Sequence, residues 1–221
     1  MTNLEWIFFD LGWTLVDETE AHRARLNSTQ RYLAEFGRVH SVDELMHMCE
    51  RAATDFALSP FRGMLARLNL PDERVATIVH AVHYAKDNEV LYTGVPELLA
   101  KLSEHFKIGI IANQSNGTEE RLMRWGIRSY FSIVFASAEL GLSKPDPQIF
   151  ADALSEAGCR PQNALMVGDR IDNDIRPAKS QGWNTVRVLQ GFSRFQEPRG
   201  PREIPDITIS TVQELSDTNF F

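Results

Sequence analysis

The sequence predicts an α/β protein: a Rossmann-like parallel sheet core carrying a small inserted four-helix unit. Three observations predict it. Short, wholly apolar runs recur along the chain, helical patterns alternate with them, and one long stretch near the N-terminus breaks the alternation with helices alone. The runs are 6–9, 108–111, 133–135, 164–167 and 185–189. Runs this short, rich in β-branched and aromatic residues, suit strands covered on both faces. After the third run, Ile149, Phe150, Ala153, Leu154 and Ala157 fall on one helical face. Asp146 stands before them as N-cap, with Pro147 in the first turn. Strands alternating with helices give a parallel sheet flanked by helices.

Between residues 18 and 92 no strand pattern occurs. Leu45, Met48, Cys49, Ala52 and Phe56 share one helical face, and Val75, Ile78, Val79 and Val82 share another. The expected division is therefore a core of residues 1–17 and 93–221 and a helical insertion of 18–92. The Gly-, Pro- and Arg-rich segment 190–206 reads as a loop. Its Arg194, Arg199 and Arg202 form a solvated face or touch an anion.

Composition narrows the function classes. An apolar fraction of 43% is that of a globular protein. With 23 basic against 30 acidic residues the net charge is −7, which repels nucleic acid and anionic membranes, so neither is expected as a partner. The two cysteines, Cys49 and Cys159, have no metal-ligand spacing, and Cys49 reads as a small apolar filler. A reduced, cytoplasmic protein follows. The N-terminal stretch lacks the basic region of a secretion signal, and nothing approaches the roughly 20 apolar residues of a membrane helix.

Four features follow expected strands, at the sheet edge where open α/β folds place ligands. Asp10 comes directly after the first run, as a carboxylate nucleophile, a metal ligand or a turn cap. The polar loop Asn113-Gln114-Ser115-Asn116-Gly117 leads into a helix at Thr118, whose N-terminus suits an anion or forms an ordinary turn. Lys144 lies in the stiff loop Lys144-Pro145-Asp146-Pro147, placed to neutralise a phosphate or a carboxylate. Last, Gly168-Asp169-Arg170-Ile171-Asp172-Asn173-Asp174 sets three carboxylates in six residues. They repel one another unless a cation joins them, and oxygen donors favour Mg²⁺; the alternative is an acidic helix start.

Asp10 with Thr14, the strand ending in Asn113, the Lys144–Pro147 loop, and Gly168-Asp169 with Asp174 resemble the four motifs of the haloacid dehalogenase superfamily. The resemblance covers nearly the whole chain and makes the insertion similar to the family's four-helix cap. It implies a Mg²⁺-dependent hydrolase acting on a small phosphorylated molecule. Asp10 would be the nucleophile that forms an aspartyl-phosphate, and Lys144 would balance charge on it and on the phosphoryl group. Asp10, Asp169, Asp174 and the backbone carbonyl of Gly12 would serve the metal, with Asn113 and Ser115 serving the substrate.

The sequence also departs from that pattern. The family's second Asp, a general acid and base, is here Gly12; the next residue, usually Gly, is Trp13; the hydroxyl expected after the second strand is Ala112. Asp17, Glu18 and His22 are the nearest replacements for the lost acid. Gly12 and Ala112 also admit a catalytically weak phosphate- or metal-binding protein. A dehalogenase or phosphonate-cleaving relative is a further alternative. The carboxylate cluster weighs against the first of these, and Lys86, the one lysine between Asp10 and Tyr92, bears on the second.

Overall fold

The computed structural model describes residues 4–218; residues 1–3, part of the stretch read for a leader, and 219–221 lie outside it. The chain divides into two compact units. The first comprises residues up to Val16, Leu91–Gln190 and Glu197 onward, and the second comprises Asp17–Val90 and Gly191–Gln196. No helix among the described residues is long and apolar enough to cross a membrane.

The first unit is built on a six-stranded parallel sheet in the order β5-β4-β1-β6-β7-β8. Its strands are β1 (Trp6–Phe9), β4 (Lys107–Ala112), β5 (Phe131–Ala136), β6 (Ala164–Gly168), β7 (Asn184–Val188) and β8 (Ile207–Ile209). The short β2 (Val16–Asp17) and β3 (Val90–Leu91) form a separate two-stranded sheet. The continuous apolar character of β1 has a simple cause, because both of its faces are covered. Ile7 and Phe9 join one buried cluster with Leu99, Ile110 and Val167, whereas Trp6 and Phe8 join another with Ile111, Phe150 and Trp183. Phe8 lies beside Gly109, where a Cβ would stand 2.5 Å from its ring, so only glycine leaves room. The helix Pro147–Ala157 begins as its sequence predicts, with the Asp146 carboxylate accepting from Gln148 N at 2.9 Å. Strand β8 was not expected, and it completes the sheet edge.

The second unit holds α1 (Thr19–Glu35), α2 (Val42–Thr54), α3 (Pro60–Arg67) and α4 (Asp72–Ala81). A capping box starts α2: Glu44 N donates to Ser41 Oγ at 3.1 Å, and Ser41 N donates to the Glu44 carboxylate at 2.8 Å. Leu45, Cys49 and Ala52 are buried on α2 as expected, but Phe56 lies beyond its end in the left-handed conformation, φ 61°. Likewise Val82 follows α4 in an extended conformation.

The segment Gly191–Gln196, which the sequence division assigns to the core, packs with the helices instead. Gln196 donates to Ala53 O at 2.8 Å and Arg194 pairs with Glu50. Arg199 grips the buried Glu203 through its side chain and its own backbone N–H. Arg194 and Arg199 thus stay exposed, as a solvated face requires, while each also pairs with one of the chain's own carboxylates.

Candidate active site

The sheet order brings three of the four sequence features together. Strand β1 lies between β4 and β6, with Phe9 opposite both Ile110 and Val167. The residues just past these strands, Asp10, Asn113 and Asp169, therefore emerge side by side at one sheet edge. This is also where strand order reverses direction, the crevice that open α/β sheets use for ligands. Asp10 is fixed there by its own N–H, which donates to Val167 O at 2.9 Å.

Lys144 completes the group. Its buried ammonium lies 2.8 Å from Asp10 Oδ1 and 2.5 Å from Asp174 Oδ1. Burial works to lower its pKa, but the two carboxylates outweigh burial and hold the lysine above its ordinary value. For Asp174, burial dominates and pushes the carboxyl up to about 6, while the Lys144 charge pulls it down. Its second oxygen accepts from Arg170 N at 2.9 Å. A Cβ on Gly168 would stand 2.4 Å from Asp174 Cγ, so glycine there is what admits the carboxylate.

Oxygens of Asp10, Asp169 and Asp174 lie within 4.8 Å of one another. Three hard oxygen donors at one point, with one ammonium among them, fit a hard divalent cation such as Mg²⁺. Asp172, the remaining carboxylate of the acidic run, is not among them. Arg170 grips it with two hydrogen bonds, Nε at 3.1 Å and Nη2 at 2.7 Å. The sequence counted carboxylates but could not show this i, i+2 pairing, which a π-turn over Ile171–Ile175 produces.

Asn113 and Ser115, expected to serve the substrate, lie on the loop that follows β4. The Asn113 side chain clasps the backbone of Lys144, donating to its carbonyl at 2.7 Å and accepting from its N–H at 2.8 Å. Its visible task is to position the lysine. Ser115 is exposed on the loop after β4, and its hydroxyl donates no hydrogen bond to any of the described residues. The helix start expected to hold an anion is occupied by the chain's own Glu139, whose Oε1 accepts from Gly117 N at 3.2 Å and Thr118 N at 3.4 Å. Gly12 stands in the tight turn between Leu11 and Val16, bridged to Val16. Trp13 beside it adopts φ 58°, the left-handed region that glycine enters without strain.

Residues 7–188 match the model of the haloacid dehalogenase-like hydrolase family. The chain belongs to that family. Among its relatives, a glyceraldehyde 3-phosphate phosphatase of Methanopyrus kandleri is 32% identical over 96% of this chain and 95% of its own. A pyrimidine 5'-nucleotidase of Escherichia coli is 31% identical over 96% of each. A haloacid dehalogenase-like hydrolase of Streptococcus pneumoniae superposes with a TM-score of 0.71, covering 98% of this chain and 99% of that one at 22% identity. This last likeness concerns the fold alone. Within the family, this hydrolase keeps the carboxylates and the lysine but presents no side chain at Gly12.

Proposed function

We propose that this hydrolase is a Mg²⁺-dependent phosphatase acting on a small phosphorylated metabolite through an aspartyl-phosphate on Asp10. The observation that carries the reading is the Lys144 ammonium at 2.8 Å from Asp10 and 2.5 Å from Asp174, beside a third carboxylate, Asp169. The names of the two relatives described above, one acting on a triose phosphate and one on nucleotides, support the substrate class.

The chain's own residues supply the following steps. A free oxygen of Asp10 attacks phosphorus, a P–O bond forms, and the bond to the alcohol oxygen breaks. Lys144 offsets negative charge on Asp10 and on the phosphoryl oxygens, and Asn113 holds Lys144 in place. Water then attacks the phosphorus, the bond to Asp10 breaks, and inorganic phosphate leaves. Asp10, Asp169 and Asp174, with the Gly12 carbonyl, would hold Mg²⁺, which when bound supplies positive charge for the phosphoryl oxygens.

The departing alcohol oxygen needs a proton, and Gly12 has none to give. General acid–base catalysis is worth about 10² to 10⁴ in rate. Nitrophenyl phosphate, whose leaving group departs unprotonated, should therefore be hydrolysed far faster than an alkyl phosphate. Gly12→Asp combined with Trp13→Gly should raise alkyl turnover by up to about 10² to 10⁴. The same glycine favours a second reading, a phosphate-binding protein with feeble turnover. A screen of phosphorylated metabolites with added Mg²⁺ tests both. Turnover that a chelator abolishes and Mg²⁺ restores supports the phosphatase. Binding without turnover in either protein supports the second reading.

A further inference from the structure

In the first unit, the turn Pro201–Glu203 packs on the helix Arg176–Ser180, and a cavity of about 410 Å³ opens beside them. Among the described residues that line it, Arg176, Arg199 and Arg202 stand against one carboxylate, Glu203. Asp10, Lys144, Asp169 and Asp174 are not among them, so this cavity is not the catalytic centre. It has room for more than a bare ion. A Cβ on Gly200 would meet no heavy atom within 4 Å, and small-molecule sites span roughly 300–1,000 Å³.

Glu203 is already taken. Its Oε1 accepts from Arg199 Nη2 at 2.9 Å, and its Oε2 accepts from Arg199 N and Nε at 2.8 and 3.2 Å. Arg176 Nη1 stands 3.8 Å from Oε1, beyond a hydrogen bond. Arg202 is exposed and has no hydrogen bond or ion pair with any described residue. The carboxylates of the segments around the turn are claimed as well. Lys179 pairs with Asp206 at 2.5 Å, Arg170 with Asp172 at 2.7 Å and Lys144 with Asp174 at 2.5 Å. Arg176 and Arg202 therefore line a concavity without a carboxylate of their own, in a chain whose net charge is −7. Such a cleft concentrates anions, and the planar fork of arginine meets two phosphate oxygens at once.

We infer that Arg176, Arg199 and Arg202 form a second, non-catalytic site on the core unit that takes a phosphoryl dianion, free or borne by a small molecule. Two guanidinium groups without partners suit a dianion better than a monoanion, because each can meet one negative charge. The site is separate from the phosphatase reading and stands without it.

The test reads the backbone amides of Gly200 and Arg202 in the ¹H–¹⁵N spectrum of the full chain with Mg²⁺ present. Inorganic phosphate, phenylphosphonate and malonate are titrated separately, with sodium chloride at matched ionic strength as control. The expected result is a saturating phosphate shift at both amides, with a dissociation constant of about 1 mM or tighter. Arg176→Gln and Arg202→Gln should each weaken it by about two- to fivefold, the worth of an exposed charge. Circular dichroism should stay unchanged in both, since neither side chain holds a hydrogen bond within the described residues. Tighter binding of phenylphosphonate than of phosphate assigns the site to a phosphorylated small molecule, and equal or weaker binding assigns it to free phosphate. Malonate binding as tightly as phosphate overturns the phosphoryl assignment. Shifts that merely follow chloride, or that arise only around Asp10, overturn the site. Saturation that neither variant weakens overturns it as well.

Discussion

Lys144 in the core unit and His22 in the helical unit are both largely buried bases, yet one is held charged and the other neutral. Lys144 has two carboxylates within hydrogen-bond distance, and their attraction outweighs burial. His22 lies against the Tyr84 and Phe192 rings, with centroids at 5.1 and 4.8 Å. Burial, then the Arg25 charge, push its pKa down to about 3, and the Glu89 charge pulls the other way. Glu18 is 3.5 Å away, too far for a strong hydrogen bond. Burial alone therefore does not decide whether a base keeps its proton. The decision rests with the charges around the base: Lys144 has two carboxylates at bonding distance, whereas at His22 burial and the Arg25 charge dominate.

The largest test asks whether the charges kept in the core exist for chemistry. Asp10→Asn preserves shape and removes the nucleophile, so turnover should fall by at least about 10⁴ while circular dichroism stays unchanged. Full activity in that variant would remove the comparison's functional meaning.

The second test sets the two bases directly against each other. Lys144→Met leaves Asp10 and Asp174 buried without their cation and should cost about 3 kcal/mol or more in urea unfolding. His22→Phe exchanges one uncharged ring for another and should cost roughly 1 kcal/mol or less at pH 7.5. Equal losses would mean that the core pairing contributes nothing beyond packing.

A pH series sharpens the contrast, because the two centres have opposite signs. Unfolded histidine titrates at 6.5 and His22 at about 3, so as pH falls the unfolded chain takes the proton first. Stability that is present above pH 6.5 is lost progressively toward pH 3. Amide exchange at Leu26 and Leu33 should accelerate over that window, and His22→Phe should flatten the response. Asp174 runs the other way. Its folded value of about 6 lies above the ordinary 3.8, so its contribution is full below 3.8 and lost as pH rises through 6. Cation binding there competes with the proton. Calorimetric Mg²⁺ affinity should therefore drop below about pH 6, with proton uptake or release shown by changing the buffer.

The smallest expected effect concerns Trp13. Its φ of 58° carries a left-handed cost of roughly 1 to 2 kcal/mol in a residue with a side chain. Trp13→Gly should regain about 1 kcal/mol unless lost ring contacts offset it, and the unfolding midpoint will show which.

Periodicity and strand-end residues were enough to read the core sheet, because a strand covered on both faces leaves an unbroken apolar run. Asp10, Lys144, Asp169 and Asp174 were legible for a related reason: each directly follows or closely trails such a run or a proline-stiffened loop. Helix α1 was harder, since only Ala21, Leu26, Thr29 and Leu33 of its 17 residues are buried. Its signal is too thin for pattern reading, as is that of three-residue β8.

Pairing was decided only by the tertiary structure. The resemblance sets Asn113 at the substrate, and only the fold shows that its side chain also holds the backbone of Lys144, 31 positions away. Asp172 belongs to the acidic cluster by count and to Arg170 by contact. Glu139, unremarked in sequence, fills the helix start expected to await an anion. Hydrogen bonds act over about 3 Å, and no linear pattern records which distant side chain the folded backbone brings within that reach. Residue types and spacing could therefore set the chemistry available at the sheet edge, while folding alone could assign each carboxylate, amide and ammonium its partner.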